Sequence, residues 1–229
     1  MSDKTFTVKK PCPICQEDTR VVKVRSRLPV LKRDEDGCVH YEGGFNAYFY
    51  TVWTCEHCGF AADEKTFTTK MPDRHLKILR GELLKNKFGV DFVEERTLDD
   101  AVFAFKLAIS YVEQVEGKFF TQAKYAHQLA WLYRDALDED NERKFLERAI
   151  RLYDASLAKE TYPIEGLSDS GATYLISALY RRLGENEKCA AYLSRLMKDD
   201  GLRSRDPRLV DKVRDMWSDV RSLLRDAKK

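Results

Sequence analysis

No stretch of about 18 consecutive apolar residues occurs in this chain, so nothing in it reads as a membrane span. Excess charge of one sign is missing as well. The 40 basic and 38 acidic side chains leave a net charge of +2, too little to draw the chain to nucleic acid or an anionic membrane through bulk electrostatics. The balance is local too, since residues 1–72 carry 11 basic and 10 acidic side chains. The usual reaction signatures are also absent: there is no phosphate loop, dinucleotide fingerprint, His-Glu-x-x-His or nucleophile elbow. That predicts a protein without an enzymatic activity. The opening Met1-Ser-Asp-Lys-Thr5 lacks the apolar segment of an export signal, which predicts a cytoplasmic protein.

Against these absences stand six cysteines. Four of them form two pairs, Cys12-Pro-Ile-Cys15 and Cys55-Glu-His-Cys58, separated by 39 residues. In a reducing compartment such pairs read as metal ligands rather than disulfides. Two tight knuckles presenting four thiolates match a closed tetrahedral zinc site with sulfurs about 2.3 Å from the ion. An iron–sulfur cluster uses the same ligands, and a redox pair would instead open a helix in a βαβ setting. A closed site leaves no position for substrate, so it supports folding and does not imply catalysis. Cys12, Cys15, Cys55 and Cys58 are therefore the predicted ligands of a structural Zn²⁺. His57 is expected to face solvent, His40 to be a strand side chain, and Cys38 a small buried hydrophobe.

Between the knuckles the pattern predicts strands. Arg20 to Leu28 alternates, with Lys23, Arg25 and Arg27 on one face and Val22, Val24 and Leu28 on the other. A turn at Asp34-Glu-Asp-Gly37 leads to a second strand at Val39–Tyr41. A third, Ala47 to Thr54, is rich in aromatic and β-branched residues. So small a sheet needs its metal, and losing one thiolate is expected to unfold it. Between Arg20 and Arg33 lie six cations and no acid. Lys23, Arg25 and Arg27, set against Tyr48, Tyr50 and Trp53, could form a basic aromatic face that stacks bases and tracks phosphates. Asp34, Glu35 and Asp36 follow directly and can neutralise it.

From Asp73 the period changes to about 3.6, and helices are predicted to the end. The first starts at Asp73 and ends around Phe88-Gly89; the second starts at a capping box, Thr97 to Asp100. Others are expected over Phe120–Leu137 and Asn141–Ala158. From Thr173 to Leu196, the spacing of Ser177, Tyr180, Gly184 and Cys189 resembles a tetratricopeptide helix pair. Asp206-Pro207 caps a final helix. The expected class is α+β, mostly α: a small β zinc ribbon over residues 1–72, then an α-helical tetratricopeptide-like stack over 73–229. Lys106, Lys124, Arg134, Arg181 and Arg182 could line a carboxylate-binding groove on the stack, or simply form its solvated face.

Read together, Cys12-Pro-Ile-Cys15, Val24-Arg-Ser-Arg27, Lys32-Arg-Asp-Glu-Asp36, Tyr41-Glu-Gly43, Asn46-Ala-Tyr-Phe-Tyr50 and Trp53-Thr-Cys-Glu-His-Cys-Gly-Phe-Ala61 resemble the bacterial family known as domain of unknown function 2225. In that pattern a proline more often follows the asparagine and the third cysteine, where this chain has Ala47 and Glu56. The resemblance implies a bacterial cytosolic protein and the four cysteines as metal ligands, and supplies no activity. The functional expectation is a non-enzymatic, zinc-stabilised interaction protein that docks a protein or peptide through its helices. The alternative is a nucleic-acid-binding protein that uses the basic, aromatic ribbon face.

Overall fold

The computed structural model describes residues 3–86 and 89–227. Its class is the one expected, α+β and mostly α. Among the described residues the strands form three separate antiparallel hairpins. Strands β1 (Thr5–Pro11) and β2 (Asp18–Val24) pair from Thr5 opposite Val24 to Pro11 opposite Asp18. Strands β3 (Val30–Arg33) and β4 (Val39–Tyr41) enclose the acidic turn, and β5 (Val52–Thr54) pairs with β6 (Ala61–Asp63). The first and third hairpins each carry one cysteine pair in the connecting loop.

Two strand expectations are corrected. The Arg20–Leu28 strand starts earlier and ends at Val24, because its partner β1 runs out at Thr5. The Ala47–Thr54 strand does not form as one piece: Ala47–Tyr50 is a 3₁₀ turn and only Val52–Thr54 is extended. Asn46 explains the change, since its side-chain oxygen accepts the Tyr48 amide at 2.9 Å and starts a turn in place of a ladder. Arg96 then fixes the segment, donating to the Phe49 and Val52 carbonyls at 3.1 and 2.6 Å.

The helices follow in sequence: α1 (Glu64–Thr68), α2 (Asp73–Asn86), α3 (Leu98–Gln114), α4 (Phe119–Asp135), α5 (Glu139–Lys159), α6 (Asp169–Arg182), α7 (Asn186–Met197), α8 (Leu202–Arg205) and α9 (Pro207–Asp226). The expected end of α2 at Phe88 lies outside the described residues. Local chemistry sets the boundaries of several. Thr97 and Asp100 form the reciprocal capping box of α3, and Asp206 accepts the Leu209 amide at the start of α9. Gly184, at φ 77°, ends α6 in the left-handed region that a β-carbon disfavours. None of the described helices is long and apolar enough to cross a membrane.

One continuous core joins hairpins to helices. It runs from Cys12, Ile14, Val21, Trp53, Phe60 and Phe67 through Leu79, Phe105, Tyr125 and Leu129 to Leu146, Tyr153 and Leu179. A second cluster, with Cys189, Leu193, Val213, Met216 and Val220, packs α6, α7 and α9 together. The residues before position 72 thus share their interior with α3 and α4.

Charge ties the middle hairpin to the same helices. Asp36, 5% exposed, accepts from Trp131 Nε1 at 3.0 Å, from Arg134 at 2.7 Å and lies 3.3 Å from His127 Nε2. Arg134 also reaches Glu142 at 2.7 Å, and Arg182 completes the network on Glu142. Burial works against ionised Asp36, but His127 and Arg134 outweigh it and hold the carboxyl well below the usual carboxylate range. The folded state therefore takes up this proton less readily than the unfolded chain. The stabilisation is complete above about pH 4 and is lost as pH falls below that. Asp36→Ala, which removes the buried acceptor shared by Trp131, His127 and Arg134, should cost about 3 kcal/mol in urea unfolding. Asp36→Asn should flatten the loss of stability below about pH 4; an unchanged acid limb would refute the ion-pair account.

Candidate metal centre

The two knuckles are built alike, although only one carries glycine. In the first, the Cys12 amide donates to the Glu17 carbonyl at 2.9 Å and the Gln16 amide to the Cys12 carbonyl at 3.0 Å. In the second, the Cys55 amide donates to the Phe60 carbonyl at 2.8 Å and the Gly59 amide to the Cys55 carbonyl at 2.9 Å. The residue after each second cysteine has positive φ, 68° at Gln16 and 74° at Gly59. Sequence reading missed the equivalence because Gln16 stands where a left-handed turn favours glycine. Gln16 offsets part of the strain with a hydrogen bond from its side-chain amide to the Pro13 carbonyl at 3.0 Å.

These turns bring all four sulfurs together. Cys12 Sγ lies 3.7 Å from Cys58 Sγ, Cys15 Sγ lies 3.7 Å from Cys55 Sγ, and every pair is within 4.8 Å. A tetrahedron with sulfurs about 2.3 Å from its centre has edges of about 3.8 Å, so the cluster fits a metal ion. Each pair joins one sulfur from each knuckle, and an ion between them would bind the first hairpin to the third. Cys12, Cys55 and Cys58 are almost fully buried and Cys15 is half-buried.

Electrostatics points the same way. The neighbouring Cys12 and Cys58 side chains hold the Cys55 thiol well below its ordinary value. Cys12 is pushed up to about 12 by the Cys55 side chain and by burial, and Cys58 is raised by Cys12 and Cys55. Without a cation, Cys55 is thus favoured as the thiolate while Cys12 and Cys58 are held toward the protonated form. A bound cation lets all four thiols ionise, and its binding releases their protons.

Flanking groups hold the knuckles against the rest of the fold. Arg80 of α2 donates to the Ile14 carbonyl at 3.0 Å, and the Tyr111 hydroxyl of α3 donates to the Gly59 carbonyl at 3.2 Å. The Glu56 amide donates to Thr19 at 3.1 Å, and its carboxylate pairs with Arg20 at 2.7 Å. His57 is exposed and lies 3.0 Å from the Asp18 carbonyl, outside the sulfur cluster.

The other sequence candidates are placed less simply. Lys23, Arg25, Tyr48, Tyr50 and Trp53 all line one cleft of about 510 Å³, while Arg27 lies outside its lining. Trp53 is 2% exposed against Phe67, so its ring offers no free face to a base. The Tyr48 hydroxyl accepts the Val39 amide at 2.8 Å, and Lys23 pairs with Glu64 at 2.7 Å. On the helices, the carboxylates engaged by Lys124, Arg134, Arg181 and Arg182 belong to the chain itself: Asp63 and Glu165, Asp36 and Glu142, Glu35 and Asp219, and Glu142. Lys106 is exposed.

A second cleft, of about 330 Å³, lies beside the second knuckle between α1, α2, α3 and α4. Phe60, Met71, Leu79, Val112, Val115 and Ile164 supply apolar lining, with Lys65, Lys70 and Lys118 among the residues around it. No sequence signal pointed to it, because it forms where hairpin and helices meet.

Among known proteins, the model of a family described as "Uncharacterized protein conserved in bacteria (DUF2225)" matches residues 6–220. No curated protein and no solved structure matches the chain.

The shared core predicts how a lost ligand acts. Cys58→Ser should abolish metal retention at the four-cysteine cluster and expose α2 and α3 to proteolysis along with the hairpins, while the α6–α7–α9 cluster keeps helical circular dichroism. Survival of α3 protection in the metal-free variant would contradict the coupling. At the turns, Gly59→Ala should cost about 1–2 kcal/mol and Gln16→Gly should be neutral or mildly stabilising in thermal unfolding. A harmless Gly59→Ala would show that the second knuckle tolerates a β-carbon.

Proposed function

The chain belongs to this bacterial family of uncharacterised proteins, and we propose that it is a non-enzymatic, cytoplasmic interaction protein whose four cysteines hold a structural zinc ion. Four cysteine sulfurs at tetrahedral spacing, three of them buried, support zinc, and they leave no coordination position open for a reaction. The helix pairs α4–α5 and α6–α7 are read as tetratricopeptide-like, with Ser177 and Cys189, both fully buried, as the small residues that let paired helices approach. Proteins built from stacked helix pairs commonly present a surface to a peptide or protein.

The observation that carries this reading is the apolar cleft beside the second knuckle. Its floor is aliphatic and aromatic, and Lys70 and Lys118 at its edge make no ion pair among the described residues. Lys65 is matched by Glu165 at 3.3 Å. Such a cleft suits a peptide segment with apolar side chains flanked by carboxylates. In fluorescence anisotropy, an acidic amphipathic peptide should bind and a basic one of the same apolar sequence should not. Val112→Asp, or Lys70→Glu with Lys118→Glu, should weaken binding tenfold or more, about 1.4 kcal/mol. Equal binding of both peptides, or no effect of either variant, would sink the assignment.

A second reading has its own support. The cleft that collects Lys23, Arg25, Tyr48 and Tyr50 also contains Gln128, whose side-chain oxygen is buried without a hydrogen-bond partner among the described residues. An unpaired acceptor beside cations and aromatic rings suits a nucleobase that donates an N–H. If that reading holds, single-stranded oligonucleotide binding should fall steeply with salt and be lost in Lys23→Glu with Arg25→Glu. Salt-independent or variant-insensitive binding would remove it.

A further inference from the structure

A separate group of metal-binding side chains sits at the middle hairpin. Asp34 ends the β3 side of the turn, Cys38 directly precedes β4, and His40 lies within β4. One ligand atom from each falls within 4.8 Å of the other two. His40 Nε2 is 2.8 Å from Asp34 Oδ2, and Cys38, 4% exposed, lies alongside. Cys38 and His40 alternate along one face of the hairpin and both line a cavity of about 200 Å³ bordered by Tyr48, Trp131 and Asp135.

We propose that Asp34, Cys38 and His40 form a second metal site, specific for a borderline divalent cation such as zinc, with its fourth position open to this cavity. The donor set is the mixed sulfur, imidazole and carboxylate set that such ions accept. Three protein ligands are the number found where a fourth position is kept for water or another exchangeable group. An ion about 2.0–2.3 Å from each donor sets the donors roughly 3.3–3.8 Å apart, so binding would open the Asp34–His40 contact from 2.8 Å and bring in Cys38, which lies within 4.8 Å of both.

The surroundings fit a cation. Asp34 is steadied by Arg134 at 3.1 Å and by exposed Lys32 at 3.3 Å, so its orientation does not depend on His40 alone. Asp34, Asp36 and Glu142 together face the guanidiniums of Arg134 and Arg182. Lys32, Arg134 and Arg182 balance these three carboxylates, so the Cys38 thiolate formed on binding would supply the anionic charge toward the ion. A hydrogen bond between Asp34 and His40 accounts for those two residues; the Cys38 thiol, within 4.8 Å of both, adds the third donor.

The site is independent of the four-cysteine cluster, and metal counting separates them. Full-length protein purified without chelator should contain about two metal ions per chain by elemental mass spectrometry, one of them removed by brief EDTA treatment because its site is open. Cys38→Ser and His40→Gln should each reduce the content to about one ion. His40→Gln retains a hydrogen-bond donor toward Asp34, so its circular dichroism should match that of the parent. In cobalt(II) titrations the weaker of two binding phases should vanish in both variants. One ion in the parent protein, or a second ion that persists in either variant, overturns the proposal. No ion at all overturns this site and the four-cysteine reading together.

Discussion

The first and third hairpins of this molecule depend on four thiols that must share one small volume. Each knuckle belongs to a different hairpin, and neither hairpin has more than two strands. Two-stranded hairpins are marginal by themselves in water. An ion held by the four sulfurs would join β1–β2 and β5–β6 into one body, whose inner side chains, Val21, Trp53, Phe60 and Phe67, share a core with α3 and α4. The thiols repel one another's ionisation when bare and attract a cation strongly for the same reason. Metal affinity and folding free energy are thus parts of one equilibrium.

From that constraint the remaining architecture follows in steps. The linked hairpins present carbonyls that α2 and α3 reach with Arg80 and Tyr111. The middle hairpin, which carries no knuckle, is held by charge instead, with Asp36 inserted among Trp131, Arg134 and His127. Both clefts are by-products of this assembly. The apolar one opens where the second knuckle meets α3 and α4, and the basic one where β2 meets the 3₁₀ turn and α4.

Much of this was written in the chain, and the misses have physical causes. The spacing of Cys12, Cys15, Cys55 and Cys58 was sufficient to place four sulfurs together, because each Cys-x-x-Cys turn is a local, stereotyped structure. Thr97, Gly184 and Asp206 marked helix ends through capping chemistry that acts within a few residues. The Ala47–Thr54 strand was misread because β-propensity of the aromatics lost to one side-chain hydrogen bond from Asn46. Strand β1 was overlooked, its short Thr5–Pro11 alternation being visible only against its partner. Trp53 was assigned to a ligand face, whereas long-range packing on Phe67 buries it. The ion pairs of Asp36 and Glu142 span 98 and 40 residues to Arg134 and Arg182, beyond any local pattern.

The measurement that tests the central claim most directly is hydrogen exchange of the full-length protein before and after complete metal removal under reducing conditions. The account predicts that stripping the metal raises exchange in β1, β2, β5 and β6 and carries through to α2 and α3, while α7 and α9 stay protected. Unchanged protection across the hairpins and α3 in verified metal-free protein would contradict it, leaving the hydrophobic core alone responsible for holding the hairpins to the helices.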